Sequence, residues 1–366
     1  MAGPLTGLKV VELGGIGPGP HAAMLLSDLG ADAVRVERPA GGLSLRNGAK
    51  TDWSQRGRRS VAADMKTDEG VALVRALITK ADVVIDGFRP GVAERLGIGP
   101  DEFTESNPGL VFARMTGWGQ AGPLSSAVGH DINYIGLTGM LHAMGTTNAP
   151  PSPPLNLVGD FGGGSLYLVL GVLAALHERG QSGRGQVVDA AIVDGVSSLG
   201  QPIWSLLNGG VWQNRRQANI LDGAAPFYRT YPCSDGKYVA VGAIEPQFYA
   251  ALLTGLELDP KDLPTQMDQS TWADVNKQFA EIFASRTRAD WEQVFGGTDA
   301  CVTPVLDFDE AAANTHLRER GALIEIDGVV QSGVAPRFSR SATDVPKAPT
   351  TPGSSTDEVC ADWGIK

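Results

Sequence analysis

Apolar positions along this chain fall into two alternating rhythms. Short runs rich in β-branched residues occur at 8–13 (LKVVEL), 33–37 (AVRVE), 82–86 (DVVID) and 110–115 (LVFARM). Continuous apolar runs of this length read as strands covered on both faces. Between them lie stretches with helical periodicity, HAAMLLSDLG at 21–30 and DEGVALVRALITKA at 68–81. Such alternation predicts right-handed crossovers and a doubly wound, Rossmann-like α/β domain with a parallel sheet.

Further helices are expected from His130 (HDINYIGLTGMLHAMG), after Asp160 (DFGGGSLYLVLGVLAALHERG) and over 194–210 (DGVSSLGQPIWSLLNGG), the last following strand QVVDAAI. The texture then turns polar and glycine-rich. Residues 222–326 read as a smaller α+β domain. Strands YRTYPC and KYVAVGA are joined by SDGK, and helices EPQFYAALLTGL and WADVNKQFAEIFAS and strand VTPVL complete it. The expected large domain is 1–208, completed by 330–366, with 209–221 and the Pro/Ser-rich 327–354 as linkers and TDEVCADWG as a closing helix.

Composition narrows the function. The chain has 366 residues, net charge −11 and three well-separated cysteines. An acidic chain argues against nucleic-acid binding. Three cysteines without a CxxC pair fit a reducing, cytoplasmic setting and give no disulfide framework. No HExxH or clustered His/Cys spacing is present, so no metal site is expected. The N-terminus lacks a signal-peptide pattern, and the longest apolar run, Leu166 to Leu176, is too short to span a bilayer. Within the acidic chain, residues 35–66 hold eight bases (Arg35, Arg38, Arg46, Lys50, Arg56, Arg58, Arg59, Lys66) against three acids (Glu37, Asp52, Asp64). That excess reads either as a solvated face or as a site for an anionic ligand.

Three glycine-flanked positions carry candidate chemistry. Gly17-Pro18-Gly19-Pro20-His21-Ala22 follows the first strand, with Glu37 twenty residues on, the pattern of a dinucleotide fingerprint. An NAD-dependent oxidoreductase is therefore a rival reading. Prolines at 18 and 20 weaken it, because they remove N–H donors a pyrophosphate would use. His130, in GHDINY, stands at the start of a predicted helix, where unpaired N–H groups face a ligand. His21 and His316 have no polar cluster near them in sequence. Asp160 reads as a helix N-cap, yet Gly162, Gly163 and Gly164 exceed what a cap needs, so something must pack against that backbone.

Taken together, ARMTGWGQAGP (113–123), VGHDINY (128–134), PPLNLVGDFGGGS (153–165), GQVVDAAIVDG (185–195), VAVGAIEPQFY (239–249) and STDEV (355–359) resemble the α-methylacyl-CoA racemases of the family III CoA-transferases. The resemblance runs through essentially the whole chain, in order. It implies the family III fold, an interlocked homodimer whose active sites are shared between chains, and a lipid-metabolic isomerase. That enzyme would interconvert (R)- and (S)-2-methylacyl-CoA through an enolate, in the degradation of fatty acids and sterol side chains. It implies His130 and Asp160 as the acid–base pair, Glu245 as the group orienting the histidine, and an amide at or near Asp160 for the thioester oxygen. It further implies CoA contacts by Arg38, Ala63, Asp64, Met65, Lys66, Gly87, Phe88, Arg89, Arg95, Gly129, Asp131, Ile132, Asn133 and Tyr134. No cofactor is implied, because CoA is part of the substrate. The stretch 40–56 departs from the family pattern. The nearest rival is a CoA-transferase in which Asp160 takes the acyl group as a mixed anhydride; a non-catalytic CoA-binding protein is another.

Overall fold

The computed structural model describes residues 2–39 and 52–366, which divide into two compact units. The first comprises 1–140, 154–201 and 319–366, and the second 141–153 and 202–318.

The first unit is built on a fully parallel six-stranded sheet. Its strands are β1 (Lys9–Leu13), β2 (Asp32–Glu37), β3 (Arg59–Ala62), β4 (Val83–Asp86), β5 (Val111–Thr116) and β6 (Val187–Ala191), in the order β3-β2-β1-β4-β5-β6. Val10, Val11, Val34, Val83, Val84 and Ile85 are wholly buried. Each such side chain stabilises the fold by about 1.5–3 kcal/mol, which is why these strands read as apolar runs rather than alternating ones. Helices α1 (Pro18–Asp28), α2 (Asp68–Lys80) and α3 (Val92–Arg95) follow strands β1, β3 and β4, and α4 (Asp131–Leu137) follows β5. Thr67 caps α2 by accepting from the N–H of Gly70, and Val74, Leu77 and Ile78 form its buried face. The strand order reverses between β1 and β4, the switch point at which ligands bind in open α/β sheets.

Leading back to β6 is a wide π-helical segment, Leu157–Ser165, continuous with α5 (Leu166–Ser182). Together they span 26 residues, long and apolar enough by composition to cross a bilayer, although no single uninterrupted apolar run reaches that length. Here α5 packs along β5 and β6. The helix expected over 194–210 is two helices, α6 (Ile192–Leu199) and α7 (Gln201–Asn208), broken at Gly200 because Pro202 has no N–H to continue the ladder.

The second unit holds an antiparallel sheet of β7 (Tyr228–Pro232), β8 (Tyr238–Gly242) and β9 (Val302–Val305), in that order, with α8 (Pro246–Gly255), α9 (Trp272–Phe283) and α10 (Arg288–Phe295). Its core is aromatic: Tyr231 stacks on Phe283 at 4.8 Å between ring centres, and Trp291 lies 5.1 Å from Phe283. Short helices α11 (Phe308–Ala313) and α12 (Thr315–Glu319) lead out of it.

Several boundaries differ from the sequence reading: 202–208, expected in the large domain, and 209–221, expected as a linker, fall in the second unit, and 319–326, expected in the small domain, falls in the first. Residues 141–153 belong to the second unit, where the Arg216 guanidinium donates to the carbonyls of His142, Thr146 and Ala149. The expected linker 327–354 belongs to the first unit. There β10 (Leu323–Ile326) and β11 (Val329–Ser332) form a hairpin. Beyond it the Lys347 carbonyl, the Thr350 hydroxyl and the Gly353 N–H bond to Gly57, Arg58 and Ser60. A Pro-rich run cannot join a ladder, but it can dock its carbonyls on an edge strand. The closing helix α13 (Thr356–Trp363) follows and packs against β3.

Candidate active site

The basic segment around 35–66 resolves into two populations. Arg35 pairs with Glu37, Arg56 with Asp28, Arg58 with Glu12 and Arg59 with Asp32. These four hold the unit together, and the charge excess read from the sequence is largely neutralised by carboxylates outside the window. Arg46 and Lys50 lie outside the described residues. Arg38, Lys66, Arg89 and Arg95 are exposed and have no carboxylate partner among the described residues.

Position explains the second population. Arg38 follows β2, Ala63–Lys66 follow β3, and Gly87–Arg89 follow β4, so all lie at the carboxyl ends of neighbouring strands. Ala63 is buried, and Met65 and Phe88 pack on the core, so these shape the edge while the cations line it. Asp64 turns its carboxylate back onto the N–H of Lys66. The loops after β1 and β4 touch. A Cβ on Gly87 would meet the Gly14 carbonyl at 3.0 Å, and one on Gly14 would meet the Phe88 ring at 3.1 Å.

His130 is the exposed N-cap of α4, and its N–H donates to Asn133 Oδ1 at 3.0 Å. Gly129 precedes it because Tyr134 leaves no room: a Cβ there would lie 2.8 Å from the ring. The Tyr134 hydroxyl donates to the Gly129 carbonyl, and its ring meets Trp118 edge-on at 4.7 Å. Ile132 is exposed beside the histidine. Asp131 instead points inward: it is buried, and its Oδ1 accepts the Asp160 N–H at 2.7 Å.

Asp160, read from the sequence as an N-cap, instead lies within the π-helical segment, one turn after the observed cap, Asn156. Its carboxylate accepts from Asn156 Nδ2 at 3.1 Å and faces Gly17, where a Cβ would come within 3.2 Å of Oδ2. Burial raises its pKa above the ordinary aspartate value; the Asn156 hydrogen bond opposes this, the Asp131 charge adds to it, and nearby His130 pulls it back. His130 and Asp160 thus sit close enough to feel each other's charge. Burial likewise raises Tyr134, with the Asp160 carboxylate adding and the Arg89 cation opposing. Arg89, Tyr134, Asp160 and His130 therefore belong to one electrostatic neighbourhood. The Asp160 N–H, expected to receive the thioester oxygen, is already donated to Asp131. In the first turn of α4 the amides of Asp131 and Ile132 have no intrahelical acceptor.

The three glycines answer the question the sequence posed. A Cβ on Gly163 would strike Val196 at 2.5 Å, and one on Gly164 would meet Pro18 at 3.0 Å, so α6 and α1 are what press on this backbone. Glu245 is in the second unit, exposed at the N-cap of α8. The Cys301 thiol there is raised by burial and by the charges of Glu245 and Asp299. Sequence reasoning missed Gly17, Asn156 and Trp118 as site neighbours. It also missed that His21 is a packing histidine, its Nδ1 2.7 Å from Ser165 Oγ and its ring 4.6 Å from Phe161. Among the described residues no His/Cys/Asp/Glu cluster could hold a metal ion.

Comparison with known proteins agrees with this geometry. The model of CoA-transferase family III matches residues 5–356. The chain is 46% identical over 365 residues to the α-methylacyl-CoA racemase of Mus musculus, covering 99% of this chain and 93% of that protein. It is 43% identical to the Homo sapiens α-methylacyl-CoA racemase, covering 99% and 94%. A crystal structure of a CAIB/BAIF family protein from Brucella suis superimposes with a TM-score of 0.84 at 27% identity, covering 99% of this chain and all of that one.

Proposed function

The chain belongs to CoA-transferase family III, and from that premise we propose that it is an isomerase that inverts the α-carbon of 2-methylacyl-CoA thioesters. The observation carrying this reading is the pairing of His130 with an Asp160 whose pKa is raised by burial, beside a cationic sheet edge.

Inverting that carbon requires one proton to leave and another to arrive from the opposite face. A thioester acidifies the α-carbon only modestly, so the enolate must be stabilised as it forms. The imidazole of His130 can both accept and donate a proton, as an acid–base group on one face of the α-carbon must. An ordinary aspartate is too strongly ionised to return a proton readily, and burial shifts Asp160 in the direction that task requires. The first-turn amides of Asp131 and Ile132 support stabilisation of the developing oxyanion, since charge is best met by fixed dipoles. The diphosphate and 3′-phosphate of CoA are matched by Arg38, Lys66 and Arg89 at the strand ends and by Arg95 at the end of α3. CoA is part of the substrate, and the chemistry requires no further cofactor.

The second unit enters through a second copy of the chain. We propose a homodimer in which Glu245 of one copy orients His130 of the other. Support comes from the apolar side chains the first unit leaves in solvent, Leu155, Leu157, Leu166 and Leu170 along the helical rod and Ile132 and Leu137 on α4.

The reading is tested by incubating one enantiomer of a 2-methylacyl-CoA in deuterated water with no acceptor acid. The expected result is α-deuterium incorporation with loss of optical purity, falling by about 10²–10⁴-fold in His130→Ala and in Asp160→Ala. Transfer of CoA to an added carboxylic acid, with release of the free 2-methyl acid and no α-exchange, would instead make Asp160 a nucleophile and the chain a transferase.

A further inference from the structure

The buried arginines Arg35, Arg56, Arg58 and Arg288 and the half-buried Arg114 each meet a carboxylate. Arg229, half-buried on β7, meets none among the described residues. Its Nε is buried with no hydrogen-bond partner, as are those of Arg35, Arg58 and Arg114, but here no carboxylate compensates, and the guanidinium lies over the face of Tyr231, 5.4 Å from the ring centre. A desolvated guanidinium nitrogen without an acceptor is costly to the fold.

Arg229 lines a cavity of about 300 Å³ formed entirely within the second unit. Its lining contains a second arginine, Arg215, and no aspartate or glutamate. Arg215 is exposed, and its one partner is Gln213 Oε1 at 3.3 Å. The nearby acid, Asp222, is consumed by its own loop, accepting from the N–H groups of Ala218, Asn219 and Ala224 and from Asn219 Nδ2. The wall amides are also oriented as donors. Gln217 Oε1 accepts from Thr147 and Gln269 Oε1 from Gln213, which leaves their NH₂ groups for the cavity. Asn276 has both ends engaged, with Tyr231 and Ala224.

A cavity rich in donors, poor in acceptors and carrying two positive charges selects an oxyanion. We propose that the second unit carries a binding site, distinct from the acyl-CoA crevice of the first, for the phosphate or carboxylate of a small metabolite held between Arg229 and Arg215. Its volume exceeds that of one phosphate and admits a short organic acid or a nucleoside monophosphate.

The test is calorimetric titration of the full-length protein at low ionic strength with inorganic phosphate, citrate and adenosine monophosphate, followed by melting curves with and without each. At least one anion is expected to bind saturably with a Kd of about 1 mM or tighter, weakening as salt rises. Arg229→Gln and, separately, the rim variant Arg215→Gln should each weaken that anion by about tenfold or more. In Arg229→Gln the melting temperature should no longer respond to it. A merely structural arginine would lower the melting temperature equally in both conditions. Preference for citrate over phosphate marks a carboxylate ligand, and the reverse marks a phosphate. Absence of saturable binding by all three, or binding undiminished in both variants, overturns the proposal. Binding lost only in Arg215→Gln overturns the role of Arg229.

Discussion

At the scale of single residues, Asp131 does most to set the character of the site. From the sequence it reads as a ligand contact in GHDINY; in the fold it is a positioning residue whose carboxylate fixes the Asp160 backbone and whose charge adds to the burial that raises Asp160. Asp131→Asn retains an oxygen to accept the Asp160 N–H but removes the charge. The limb of the kcat/KM profile that reports Asp160 should therefore move to lower pH, with little change in substrate KM. An unmoved limb would mean that Asp131 acts only sterically. Asp86 shows the same physics where no catalysis is assigned. Buried at the end of β4, it is raised to about 6 by desolvation, against the Phe88 N–H and the Arg114 cation, with Glu94 adding. Because the folded state holds this proton more tightly than the unfolded chain, its contribution is present below the unfolded value and is lost as pH rises through about 6. A shift of about two units corresponds to ~3 kcal/mol. Asp86→Asn keeps the bond to Phe88, and its denaturation midpoint should fall less between pH 4 and 7 than that of the parent protein.

At the scale of elements, the π-helical segment couples fold to site, because the backbone carrying Asp160 is the backbone α6 presses against. Gly163→Ala places a methyl 2.5 Å from Val196 Cγ2 and 2.7 Å from its backbone N. Overpacking of this kind costs about 1–3 kcal/mol, so urea unfolding should shift to lower denaturant and turnover should drop with it. Gly180→Ala, in α5 with nothing within 4 Å, is the control and should stabilise by about 0.5–1 kcal/mol. The elements themselves were largely legible: β1, β2, β4 and β5 are apolar runs, and α2, α8, α9 and α13 announce themselves by periodicity. Less visible were β3, whose four residues RSVA begin with a charge, and the β10–β11 hairpin inside a stretch that reads as linker. His130 and Asp160 could be singled out by their glycine neighbours and by family resemblance. The roles of Gly17 and Asn156 could not. Gly17 arrives from α1, 143 positions away in sequence, and Asn156 lies one turn before Asp160 only because the helix is already wound there. Charge counting over 35–66 misled because the partners Glu12, Asp28 and Asp32 sit on earlier elements.

At the scale of the whole molecule, the proposed partnership of His130 with Glu245 of a second copy makes a prediction of its own. If sites are shared between copies, variants that damage different units must complement. In a hybrid of an Asp160→Ala chain with a Glu245→Ala chain, one site combines both lesions. The other combines the intact first unit of the Glu245→Ala chain with the intact second unit of the Asp160→Ala chain. Random reassortment makes half the dimers hybrid, each with one good site, so co-refolding the two inactive variants should restore about a quarter of parental exchange activity. If each site is built from a single chain, every hybrid site carries one lesion and no activity returns. Restoration should rise in step with the fraction of hybrid dimer formed on co-refolding. A mixture that regains nothing although mass spectrometry shows the hybrid dimer would assign Glu245 to the histidine of its own chain.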